Sequence, residues 1–187
     1  MFVTGPDVVK TVTHETVTAE ELGGAATHST ISGVCDCAYD NDVETLQMVR
    51  RFINYLPSNN REKAPHRPTP DSVDRMEISL DTLVPDNPNK PYDMKEAVRK
   101  MVDDNEFWEL QPEHAKNIII GFGRMDGHPV GIVANQPLVQ AGCLDIKSSI
   151  KAARFVRFCD AFNIPIITLV DVPGFMPGSA QEYGGII

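Results

Sequence analysis

Residues Asp145 to Glu182 read DIKSSIKAARFVRFCDAFNIPIITLVDVPGFMPGSAQE, and the fold class follows from this stretch. Ala152, Phe155, Cys159 and Phe162 recur at helical spacing on one face, while Lys147, Lys151, Arg154 and Arg157 lie towards the other. Asn163-Ile164-Pro165 stops that helix, because a proline pushes its neighbour out of helical geometry and donates no hydrogen bond. Ile166 to Val172 is then a nearly unbroken apolar run, the pattern of a strand buried on both faces. A helix feeding such a strand implies a βαβ crossover, and the class is α/β. The basic face is read as the wet side of the helix and is left out of the candidate site.

The segment after that strand carries the chemistry. Pro173 ends the ladder, Gly174 lets a ligand or another backbone approach closely, Pro177-Gly178 turns the chain, and Ser179-x-x-Glu182 is read as a capping box opening a helix. A loop at the carboxyl end of a parallel strand faces the crevice where open α/β sheets bind ligands, and its free N–H groups can stabilise an oxyanion. The plainer reading makes PGFMPG a tight connection with Phe175 as a core plug.

Moving outward, Asn117 to Ala134 reads as a β-hairpin turning at Asp126-Gly127, and Asp93-x-x-Glu96 caps a helix to about Val102. Pro57 to Pro91 holds seven of the fourteen prolines with little apolar periodicity, as a linker does. In the first portion a helix starts after Gly5-Pro6, and Thr18-x-x-Glu21 is a capping box for a brief helix stopped by Gly23-Gly24. Ser29 to Ala38 is strand-like. Leu46, Val49, Ile53 and Leu56 make Asp42 to Tyr55 an amphipathic helix ended by Pro57.

A formal charge of −9 argues against a polyanionic partner, because nucleic-acid binding needs a basic face, and no apolar run approaches membrane-spanning length. The four cysteines (Cys35, Cys37, Cys143, Cys159) lack metal-site spacing and are read as buried thiols in a reducing compartment; Cys35-x-Cys37 would share one strand face, without making a metal site. The five histidines (His14, His28, His66, His114, His128) sit in polar segments with no nucleophile near in sequence, so no catalytic triad is drawn and most are expected at the surface.

Asn135 to Ile187, with the fingerprint PGFMPGSAQEYGG, and the opening MFVTGPDVVKTVTHETVTAEELGGAATHSTISGV both resemble the carboxyltransferase (beta) subunits of biotin-dependent acyl-CoA carboxylases of the propionyl-CoA type. The resemblance covers practically the whole chain, as an internal fragment. It implies a crotonase-like fold and parts of two repeated domains: residues 1–68, the end of the first domain with the start of the linker, and residues 69–187, the rest of the linker and the start of the second. The implied reaction moves a carboxyl group from carboxybiotin, on a partner carrier, to propionyl-CoA or a similar short acyl-CoA. Decarboxylase and transcarboxylase subunits run related half-reactions and share the fingerprint. Biotin and acyl-CoA are the implied cofactor and substrate, with no metal.

The implied partners are a biotin carboxylase and carrier (alpha) subunit and further copies in a hexameric ring, in a bacterial cytoplasm or the mitochondrial matrix. Gly174 and Phe175 would then supply backbone donors on the biotin side. The acyl-CoA region would correspond to about Asp103 through Gln136, so Asn135 and Gln136 are the second candidate site, with capping of the hairpin as their plainer role. On this likeness the chain would begin after the first domain's glycine-rich oxyanion segment and stop before the second domain's Gly-Gly-Ala segment. A catalytically silent fragment or assembly module is therefore the alternative, and the chain alone is expected to be inactive.

Overall fold

A computed structural model describes residues 1–187. Helices α1 (Pro6–Thr13), α2 (Ala19–Gly23) and α3 (Ala25–Thr27) open the chain, followed by a π-helical turn over His28–Ser32. The Thr18 capping box forms as expected, with the Thr18 hydroxyl accepting from the Glu21 amide and the Glu21 carboxylate accepting from the Thr18 amide at 2.8 Å. The strand expected over Ser29 to Ala38 is absent, and Cys35 and Cys37 share no strand face. Instead the Thr30 hydroxyl donates back to the Ala26 carbonyl, and no neighbouring strand is at hand to satisfy an extended backbone there.

Helix α4 (Asp42–Ile53) is capped by Asn41, whose side chain accepts from the Glu44 amide. Its expected apolar stripe is turned outward: Leu46, Val49 and Ile53 are exposed, and the aromatic rings of Phe52 and Tyr55 bury in their place. Pro57 to Pro91 has only a 3-10 turn over Ile78–Thr82, but it is pinned along its length. The Asp71 carboxylate accepts from the Asp104 amide, Arg75 donates to the Val102 carbonyl, and the Arg67 amide donates to the Gly127 carbonyl.

Helix α5 (Met94–Met101) begins behind Asp93, and strand β1 (Trp108–Leu110), which sequence reading missed, is the short first strand of the sheet. Strands β2 (Ile118–Met125) and β3 (His128–Asn135) form the expected hairpin about Asp126-Gly127, with Asp103 accepting from both turn amides at 3.1 and 2.7 Å. Helix α6 (Ile146–Ala161) returns the chain to β4 (Ile166–Leu169), parallel to β3, and α7 (Ser179–Tyr183) follows. The sheet order is β1-β2-β3-β4, antiparallel except for the β3/β4 pair, so β3-α6-β4 is the inferred crossover. Strand β4 stops at Leu169 rather than Val172 and is half-exposed, because it lies at the edge of this sheet and pairs on one side only.

Strand periodicity sorts the core into two layers. Ile118, Ile120, Phe122 and Val133 pack with Tyr55, Phe155 and Cys159 under α4 and α6; Ile119, Val130, Ile132 and Ala134 pack with Met94, Val98 and Val102 under α5. Arg124 rivets three segments: its guanidinium donates to the carbonyls of Asn54, Pro65 and Gly127 and stacks 4.8 Å over Tyr55.

Lys151 corrects the reading of the basic face. It is 3% exposed, and its ammonium donates to the carbonyls of Gln111, His114, Ala115 and Ile118 at 2.7 to 3.3 Å. His114 is likewise buried against the Thr30 carbonyl, unlike the exposed His14, His66 and His128. Of the four free cysteines only Cys159 is fully buried, and burial pushes its thiol up to about 12; the other three are half-buried. No helix is long and apolar enough to cross a membrane.

Candidate functional site

Strands β3 and β4 run parallel, so their carboxyl ends open on the same side of the sheet, and the segments leaving them meet there. The first is Gln136 to Leu144; the second is Val170 to Gly178. They are joined as a short ladder: the Leu144 amide donates to the Gly174 carbonyl at 3.1 Å and the Met176 amide to the Leu144 carbonyl at 2.7 Å. The backbone on either side of Phe175 is therefore held to Leu144, while the Gly174 and Phe175 amides themselves donate to nothing within the chain. Gly174 has φ of 153° with no atom near the position of a Cβ, so backbone conformation rather than crowding selects glycine. Phe175 is 59% exposed and is no core plug.

The capping box at Ser179 does not form. Gly178 occupies the cap position with φ of 132°, Ser179 is already the first helical residue, and the Gln181 and Glu182 amides donate to the Gly178 carbonyl instead.

Asn135 and Gln136 are buried, and their side chains are spent inside the protein. Asn135 accepts from the Asp171 amide at 3.2 Å and donates to the Gly142 carbonyl at 3.1 Å; Gln136 donates to the Asp93 carboxylate at 2.6 Å and accepts from the Met94 amide at 3.3 Å. Tyr92 closes the figure, its phenol donating to the Asp171 carboxylate at 2.7 Å. Asn135, Asp171, Tyr92, Asp93 and Gln136 thus form one ring of hydrogen bonds and peptide links around the mouth of the β3/β4 crevice. Burial and the bond to Asp171 push the Tyr92 phenol up to about 12, which keeps it a donor at neutral pH.

Gly142 completes the support: at φ of 76°, a Cβ there would stand 2.6 Å from the Asp171 carbonyl oxygen. A groove of about 830 Å³ runs past this ring, bounded by Tyr92, Asp171, Val172, Pro173, Leu138 and the Asp86–Pro91 stretch. Sequence reading reached Gly174, Phe175, Asn135 and Gln136 and missed Tyr92, whose one signal is its place beside the helix-capping Asp93. A second cavity, of about 500 Å³ and largely apolar, lies apart from this crevice, between α4, α6 and β1.

The model of the carboxyl transferase domain family matches residues 1–187. The chain is 68% identical to the propionyl-CoA carboxylase beta chain of Roseobacter denitrificans over its full length, covering 37% of that protein. It is 60% identical to the mitochondrial propionyl-CoA carboxylase beta chain of Homo sapiens, covering 35%, and 56% identical to the methylmalonyl-CoA decarboxylase subunit alpha of Veillonella parvula, covering 37%. Among solved structures, hexameric transcarboxylase 12S with hydrolysed methylmalonyl-coenzyme A superposes on the whole chain with a TM-score of 0.96 at 47% identity, over 37% of its own length. The chain spans little more than a third of these relatives. Its α/β fold, with a four-stranded mixed sheet, is that of the carboxyltransferases, and by its whole length the chain belongs to the carboxyl transferase domain family.

Proposed function

We propose that this chain is the part of a biotin-dependent acyl-CoA carboxyltransferase that holds the biotin ureido group while a carboxyl group passes to propionyl-CoA or a similar short acyl-CoA. The observation that carries the reading is the pair of unspent amides at Gly174 and Phe175, on a peptide clamped to Leu144 at the carboxyl end of β4. Two N–H groups without acceptors suit an oxygen that gains negative charge, and preorganised donors of this kind typically contribute several kcal/mol. Carboxybiotin supplies the carboxyl group and, after its release, the base that takes the α-proton of the thioester. The chain's own residues bind and orient: Gly174 and Phe175 offer donors to the ureido oxygen, and the ring through Asn135 and Gln136 fixes the loop that presents them. On this reading Asn135 and Gln136, the candidates for the acyl-CoA side, act by holding that loop rather than by direct side-chain contact with acyl-CoA.

The rest of the proposal follows the relatives. Residues 1–68 and 69–187 are parts of two domains, the carrier is an alpha subunit bearing biotin, and the working assembly is a hexamer like that of transcarboxylase 12S. Bacterial and mitochondrial proteins both occur among the relatives, so the compartment is a bacterial cytoplasm or the mitochondrial matrix.

The test replaces the matching segment of the Roseobacter denitrificans beta chain with these 187 residues. Assembled with its biotin-bearing partner, the chimera is expected to carboxylate propionyl-CoA, while the isolated chain, with a single donor pair, shows no turnover. A folded, assembled chimera without carboxyl transfer would overturn the proposal.

A further inference from the structure

We infer that Tyr92 is a positioning residue for the Gly174–Phe175 amide pair, acting through Asp171; the inference deepens the reading of that site given above. Asp171 is the post from which the loop departs, three residues before Gly174, and three separate segments hold it. Its amide donates to Asn135, its carboxylate accepts from Tyr92, and its carbonyl packs against Gly142, where no Cβ is tolerated. Beyond Gly174 the chain is fixed again by Leu144. The peptide that presents the two amides is therefore suspended between two anchors, one of which depends on a phenol from a distant stretch of chain.

Tyr92 is itself well mounted. Its neighbour Asp93 caps α5 by accepting from the Lys95 amide and is tied to Gln136, so the phenol cannot drift without disturbing α5 or the end of β3. Asp171 is exposed apart from this contact and has no cation beside it, so the Tyr92 hydroxyl is the one side-chain donor that orients its carboxylate. Donor and acceptor lie on the wall of the same groove that passes Pro173. Removing one hydroxyl should leave the two core layers intact and loosen one anchor of the amide pair.

The experiment uses the 187-residue chain, ¹⁵N-labelled, with Tyr92→Phe, Asp171→Ala and Asp171→Asn, and Tyr39→Phe as a phenol control outside the ring. Expected in Tyr92→Phe and Asp171→Ala are displaced Gly174 and Phe175 amide signals and, at the hydrogen-bonded Asp171 amide, exchange faster by about tenfold, the scale set by losing one hydrogen bond. Asp171→Asn, whose amide oxygen still accepts the phenol, should keep the native spectrum, as should Tyr39→Phe. A purely packing role for Tyr92 would be kept by the phenylalanine ring, and Tyr92→Phe would then leave both amides undisturbed. Unchanged Gly174 and Phe175 signals in Tyr92→Phe, or equal disturbance by Asp171→Asn, would overturn the inference.

Titration with biotin methyl ester then separates the two claims. Binding at the native amides that weakens about tenfold in Tyr92→Phe supports both. Displaced amides in Tyr92→Phe with no binding by the native chain would leave the positioning role standing and sink the biotin-side reading.

Discussion

Residues 1–53 and residues 93–169 obey the same local rules with opposite results. Both have capped helices of correct length and apolar residues at helical spacing. Only the second region has a sheet of its own, and the first meets it mainly at the end of α4, through Phe52. There, Ile119, Phe122, Ile132 and Val98 are essentially inaccessible; in the first, Val8, Val12, Ile31, Val43, Leu46 and Ile53 all face outward. The accessible surface of 11905 Å² tells the same story. A self-contained protein of 20.6 kDa would expose about 8,900 Å². Helix signals are local and need no partner to be read, whereas burial belongs to the whole assembly.

Substitutions in the two regions should differ in effect accordingly. The largest effect is expected for Lys151→Met, which leaves four buried carbonyls without their shared donor and should lower urea-unfolding stability by about 3 kcal/mol. Ile119→Ala, in the layer under α5, should cost a similar amount, within the roughly 2–5 kcal/mol of core truncations. Gly142→Ala combines a left-handed backbone with a collision against the Asp171 carbonyl, so about 1–3 kcal/mol is expected, together with displaced amide signals at Asp171 and Gly174.

One pH effect should belong to the second region, through Lys151. Burial lowers the Lys151 amine from 10.5 to about 8, against the opposing charge of Glu109. Between these values the unfolded chain holds a proton that the folded chain has released, so stability from this group rises with pH across that window and is flat below it. Comparing urea midpoints of the native chain and Lys151→Met on both sides of pH 8 reads this directly; a slope retained in Lys151→Met would exclude Lys151 as its source. The smallest effect is expected for Leu46→Ser on the outer face of α4, within about 0.5 kcal/mol of native. A loss of several kcal/mol there would mean that α4 is covered by another copy in solution.

Legibility in the sequence divides along the same line. The hairpin, the Thr18 capping box, α5, α6 and the crossover into β4 were all readable, because periodicity, turn residues and caps are written in neighbouring positions. Two failures share a cause in tertiary placement. Lys151 sits on the polar stripe of α6 by spacing, yet the Gln111–Ile118 turn folds over it and replaces water with carbonyls. Ser29 to Ala38 has strand composition but no strand beside it.

At the site, the loop at Gly174 was legible because proline and glycine punctuate it. The partners of Asn135 and Gln136 were not. They come from Asp93, Met94, Gly142 and Asp171, and the packing of α5 on the sheet together with the register of β3 against β4 brings those positions together.

The guanidinium of Arg124 reaches across the proline-rich stretch to Pro65 and Asn54, and that has a consequence for protease digestion. A nick between Pro68 and Pro91 would sever the backbone without freeing the first piece, which stays fastened through Tyr55, Phe52 and this one side chain. Clipped and intact chains would elute together on a sizing column and separate only after denaturation, so the proline-rich stretch can be cut before the halves can be parted.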